Sequence, residues 1–165
     1  LKQGILNLSG DRKVNSEVFA KVIRTICGIA NNGPDRGGSI IIGVTDKPSD
    51  ADQIAKLDKT DPRTVGSRKV VGVRREASHL GETPEKYFSR WKNAIKDSQL
   101  SSPLKEDVLS SISYHDYFGL GLILIGVPAQ KNVSYVGKEI YTRSGDDTVV
   151  ASDGMSISGV IQRFT

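Results

Sequence analysis

Cysteine, histidine, methionine and tryptophan are scarce in this chain of 165 residues, which has one Cys, two His, one Met and one Trp. The lone cysteine, Cys27, cannot close an internal disulfide. Its place on an apolar helical face fits a buried thiol in a reducing compartment, so a cytoplasmic location is expected. No base accompanies Cys27 in the sequence to activate it as a nucleophile. With only His79 and His115 as further soft ligands, a structural zinc site is close to excluded. Long apolar runs are also lacking. Ile40-Ile41-Ile42 is a short run, and the stretch from Leu120 to Val127 is broken by Gly121 and Gly126. Both are far short of the roughly 20 residues that a membrane-spanning helix requires, so no membrane partner is expected. Leu1-Lys2-Gln3-Gly4 has neither a basic patch leading into an apolar segment nor a small-residue cleavage site. The chain opens without Met, so the expectation is one domain over residues 1–165, cut from a longer protein whose other domains are its partners.

Charge is present and unevenly spread. The formal net charge is +4. Residues 1–81 carry 14 basic against 9 acidic side chains, and residues 82–165 carry 9 against 10, so the basic excess belongs to the first half. Arg68, Lys69, Arg74 and Arg75 follow one another with no acid between them. Such a cluster suits a polyanionic partner, or an edge strand guarded by charge against pairing.

The apolar pattern predicts a mixed α/β (α+β) fold, with a partly antiparallel sheet packed against about three helices. Leu1 to Leu8 reads as a short strand. From Ser16 onward, Val18, Phe19, Val22, Ile23, Ile26, Cys27, Ile29 and Ala30 recur at helical spacing, with Asn15 or Ser16 as cap. Ser39 to Thr45 is a β-branched run suited to a central strand. Asp46 to Arg68 reads as an extended surface excursion with a short turn of helix, and Val70 to Val73 as a strand. Thr83-Pro84-Glu85 opens a second helix striped by Tyr87, Phe88, Trp91, Ala94 and Ile95. At that spacing the aromatics are core rather than base-stacking groups. Val108 to Tyr114 and Leu120 to Val127 read as a hairpin, Glu139 to Arg143 as a strand, and Ser152-Asp153 as the cap of a last helix.

The common catalytic motifs are missing. Gly33 to Gly38 follows a helix and precedes a strand, the reverse of a phosphate-binding loop, and no Gly-Lys-Ser/Thr triplet is present. His115-Asp116 stands beside a turn without a serine elbow or a second metal ligand, and reads as a surface pair.

Three ordered pieces carry a family resemblance. They are Ile26-Cys27-Gly28-Ile29-Ala30-Asn31-Asn32 with Gly37-Gly38-Ser39-Ile40-Ile41-Ile42-Gly43-Val44-Thr45-Asp46; Ile123-Leu124-Ile125-Gly126-Val127-Pro128; and Ile140-Tyr141-Thr142-Arg143-Ser144-Gly145 followed by Thr148 and Ala151. Together they resemble the Schlafen AlbA-like domain, although this chain inserts Asn32 to Arg36 before the Gly pair and lengthens the region from Asp46 to Val70. The resemblance implies nucleic-acid binding. In family members that cleave RNA it implies a small acidic set, of which Asp46 matches one, with Lys2 matching the lysine of a Glu-x-Lys pattern. Clustered carboxylates cleave phosphodiesters by holding a divalent ion such as Mg²⁺ or Mn²⁺. A lone carboxylate cannot, so binding without a cofactor ranks above catalysis.

The expected function is therefore a nucleic-acid-binding module of a larger prokaryotic-type regulatory or defence protein. Lys2, Arg12, Lys13, Arg36, Arg68, Lys69, Arg74, Arg75 and Arg143 are the candidate phosphate contacts, with Asn31, Gly37 and Gly38 shaping the site. The alternatives are a metal-dependent endoribonuclease acting on structured RNA, with Asp46 as catalytic residue and metal ligand, and a protein-interaction or oligomerisation domain, for which a second copy of the chain is a candidate partner in a homo-oligomer.

Overall fold

A computed structural model describes all residues, Leu1–Thr165, as six helices and eight strands, a mixed α/β fold. The first helix, α1 (Glu17–Ala30), buries Val22, Ile23, Ile26, Cys27 and Ala30, the stripe that its spacing predicts. Asn15 accepts a hydrogen bond from the Glu17 amide at 3.2 Å and so serves a first-turn donor of the helix. The β-branched run that follows is two strands, β1 (Gly38–Ile42) and β2 (Val44–Thr45), interrupted at Gly43, whose φ is +111°. A Cβ there would lie 2.9 Å from Leu122 Cδ2 and 3.1 Å from Gly72 Cα, so the break is fixed by close packing as well as by dihedral angle.

The region from Asp46 to Arg68 is ordered rather than an extended excursion. Pro48 starts an eleven-residue helix, α2 (Pro48–Asp58), which ends at Lys59 in the left-handed conformation, φ +51°. It buries Ala51 and Ile54 with Val71, and Leu8 packs against them. Two strands follow, β3 (Arg63–Val65) and β4 (Arg68–Val70), in antiparallel register. Of the strand expected over 70–73 only Val70 lies in a strand, as the end of β4, and after residues 71–73 comes a six-residue helix, α3 (Arg74–His79). Leu1 to Leu8 forms only isolated bridges, Lys2 with Ile42 and Leu6 with Val14.

The later elements are α4 (Pro84–Lys96), α5 (Leu104–Ser111), β5 (Ile112–His115), β6 (Leu122–Val127), β7 (Ile140–Ser144), β8 (Asp147–Ala151) and α6 (Gly154–Gln162). Thr83 caps α4 by accepting from the Lys86 amide, and Asp153 caps α6 by accepting from the Ser156 amide at 2.7 Å. Tyr87 and Trp91 are buried as core residues. The strands make three sheets, in the orders β1-β6-β5, β2-β4-β3 and β7-β8. No helix is long and apolar enough to cross a membrane.

The chain falls into two compact units. The first comprises Leu1–Val18, Ile40–Trp91 and Ser113–Ile125, and the second Phe19–Ser39, Lys92–Ile112 and Gly126–Thr165. Within the second, Ile140, Ala151 and Val160 form a small core joined by Val133, Ile157 and Phe164.

Candidate nucleic-acid interface

In the first unit, the basic run splits by burial. Arg75 and Arg12 are turned inward: both guanidiniums donate to Asp58 Oδ2, at 2.7 and 2.5 Å, and the side chains of all three are nearly inaccessible. Arg75 also donates to Gly72 O at 2.9 Å and to Gln3 O and Oε1 at 2.6 and 2.8 Å, and Arg12 donates to Asn7 O at 2.6 Å. The expectation that Arg12 and Arg75 meet phosphate is therefore corrected. Two guanidiniums meeting one buried carboxylate hold segments of the fold together, and withdrawing either would leave its other buried acceptors unserved. Beside them Glu76, fully buried, accepts the amides of Ile5 and Leu6 at 2.9 Å each and the Tyr87 hydroxyl. Burial, with the charge of Glu76 adding to it, pushes the Tyr87 phenol well above its ordinary range.

Arg68, Lys69 and Arg74 remain accessible to different degrees. Arg68 pairs with Asp46 at the surface, Lys69 donates to the Thr64 hydroxyl, and Arg74 lies 3.6 Å from the exposed carboxylate of Asp116. The β3–β4 register sets Val65 opposite Arg68 and Thr64 opposite Lys69. Alternation then puts Arg63 and Arg68 on one face of the hairpin and Lys69 on the other.

A hollow of about 440 Å³ opens beside this hairpin's neighbours. Lys59, Thr60, Arg74, Ser78 and His79 supply its polar rim, with Gly119 and Leu120 on the remaining side. The loop carrying Gly119 is tied to the start of α3: the amides of Val73 and Arg74 donate to Gly121 O and Leu120 O at 2.9 and 3.0 Å. Its tip, Phe118, is exposed, and the Arg63 guanidinium lies 3.6 Å from the centre of its ring. Lys59, Arg63, His79 and Phe118 did not stand out in the sequence because they are isolated there, and the fold alone brings them to one surface.

The other expected residues of this unit are dispersed. Lys2 is half-buried and exchanges backbone hydrogen bonds with Ile41 and Gly43, and Lys13 is exposed. Asp46 is exposed and engaged by Arg68, and nowhere do three or more His, Cys, Asp or Glu side chains converge as a metal would need.

In the second unit, Asn31 is fully buried. Its amide donates to Ser134 O at 3.0 Å and Tyr141 O at 2.8 Å, and its oxygen accepts the Ser134 amide at 2.8 Å. It pins backbone segments and is not presented to a ligand. Gly37 and Gly38 allow close approach, since a Cβ on either would stand 2.6 Å from Val127 O or 2.8 Å from Ile29 Cγ2. Arg36 is exposed and, with Asn32, Pro34 and Arg163, lines a hollow of about 500 Å³. Arg143 is half-buried and donates to the Thr148 hydroxyl at 2.7 Å. Cys27 is buried, and its thiol is pushed up to about 11 by loss of hydration, which fits a structural thiol.

No family model matches this chain, and neither a curated protein nor a solved structure matches it.

Proposed function

We propose that this chain is a nucleic-acid-binding module of the Schlafen AlbA-like kind, acting through phosphate contacts made by the first unit. One observation carries the reading: Lys59, Arg63, Arg74 and His79 gather around a single loop tip and a hollow, and Arg68 and Lys69 stand on the hairpin that also bears Arg63. Asp58, buried in this region, is already matched by Arg12 and Arg75, and at the surface Arg68 and Arg74 pair with the exposed carboxylates of Asp46 and Asp116. Phosphates would displace those exposed carboxylates at little cost, because surface ion pairs are worth about 0–1 kcal/mol.

Contacts of this type are electrostatic and release counterions. With about four or five phosphates engaged, the slope of log affinity against log salt should be near −3.5 to −4.5 for duplex DNA, and shallower for single strands. Fluorescence anisotropy of labelled oligonucleotides over a salt series measures it. Replacing Arg68, Lys69 and Arg74 together by Ala should flatten the duplex slope by about 2.7. A wild-type affinity that ignores salt, or a triple variant that binds as the wild type does, would remove the reading.

A further inference from the structure

Phe118 breaks a local rule. Tyr117 O accepts the Leu120 amide at 2.8 Å, and the two residues between them, Phe118 and Gly119, have φ of +49° and +75°. That sign pattern belongs to a type I′ turn, whose first central position favours Asn, Asp or Gly because a side chain in the left-handed region crowds its own backbone. A bulky aromatic there is an outlier. It also gains little burial in return, since 66% of its surface is exposed. Folding stability alone would select against both features. Backbone strain retained beside a binding surface points to a role for the side chain that occupies it.

The surroundings say which role. Tyr117 meets the ring edge-to-face with centroids 4.7 Å apart, and Arg63 lies over it at 3.6 Å. These two neighbours orient the ring without enclosing it. Beyond Phe118 the loop passes directly into the hollow rimmed by Lys59, Arg74 and His79. An aromatic face held at the lip of a cationic hollow is the arrangement on which an unpaired base stacks while its phosphates meet the cations. A duplex offers no free base face to such a ring, because its bases are stacked on each other.

Resting on the nucleic-acid reading above, we infer that Phe118 is a stacking platform for one unpaired base, so that the ligand is single-stranded nucleic acid. The test compares wild type and Phe118→Asn on a labelled single-stranded oligonucleotide and on the duplex of the same sequence. Asn suits the turn, so the variant should fold and melt about 2–4 °C higher. It should bind the single strand about 5- to 150-fold more weakly, the range of one lost base–aromatic stack. Duplex binding should stay within about twofold. In Phe118→Trp, the introduced indole should be quenched on adding the single strand, over the background of buried Trp91. Equal losses on both ligands, or no loss on the single strand, would overturn the inference while leaving phosphate binding intact. If the wild type binds neither ligand, the inference and the reading beneath it both fall.

Discussion

Arg74 and Arg75 are adjacent in sequence and opposite in role, which makes them a sharp test of how the basic run is divided. Arg75→Ala removes a guanidinium that serves Asp58 Oδ2, Gly72 O, Gln3 O and Gln3 Oε1, and leaves those acceptors buried. Breaking a buried ion pair costs about 3–5 kcal/mol. Arg12 stays on Asp58 in the variant, so the lower end, about 3 kcal/mol, is expected. For a chain of this size, that lowers the thermal midpoint by about 6–12 °C. Lys at position 75 should not restore it, because one compact ammonium cannot reach acceptors that the planar fork meets from several sides. Arg74→Ala removes an exposed cation 3.6 Å from an exposed carboxylate, and should move stability by no more than about 0.5 kcal/mol. Its effect belongs on binding, where the loss of one phosphate contact reduces the duplex salt slope by about 0.9. Differential scanning fluorimetry and anisotropy on the two variants give the four numbers. Equal midpoints, or an Arg75→Ala variant that keeps its stability and loses affinity as Arg74→Ala does, would refute the assignment.

Two further outcomes follow from buried groups. Glu76→Ala orphans the amides of Ile5 and Leu6 at about 1–3 kcal/mol each, so the urea midpoint should fall by an amount corresponding to about 2–6 kcal/mol, and an unchanged midpoint would contradict the role of the carboxylate. Folding raises the Cys27 thiol from 9.0 to about 11, so the unfolded chain gives up this proton first. The associated stability is complete below pH 9 and is lost as pH climbs toward 11, by about 2–3 kcal/mol relative to Cys27→Ala. A difference between the two proteins that stays constant over that interval would contradict it.

What the sequence disclosed depended on how much local signal each element carried. Helix α1 was legible because eight apolar positions repeat on one face, and α4 and α6 because Thr83-Pro84 and Ser152-Asp153 mark their starts. Helix α2 was hidden by its composition: Ala51 and Ile54 are its only buried apolar residues, set among Asp50, Asp52 and Asp58. Helix α3 has six residues and one apolar side chain, Ala77, so its arginines read as strand-edge charges. Strand β8 was missed because it returns across the two-residue turn Gly145-Asp146, directly opposite a strand that had been expected. The candidate interface was half legible. Arg68, Lys69 and Arg74 stood out by clustering, whereas the burial of Arg75 needed Asp58, seventeen positions away, and Arg12, forty-six positions from that carboxylate. A phenylalanine next to a glycine in a turn was the one available sign of Phe118.

The glycine that separates β1 from β2 sets the aim of the proposed surface. Gly43 donates its amide to Lys2 O, and its own carbonyl receives the amides of Val71 and Gly72, so one residue joins three stretches of the first unit. The hairpin bearing Arg63, Arg68 and Lys69 is attached through β2 immediately beyond it. The bearing of these charges is therefore governed by a residue that carries no charge. A side chain at this position would press on Leu122 and Gly72 and re-aim the cations without removing one.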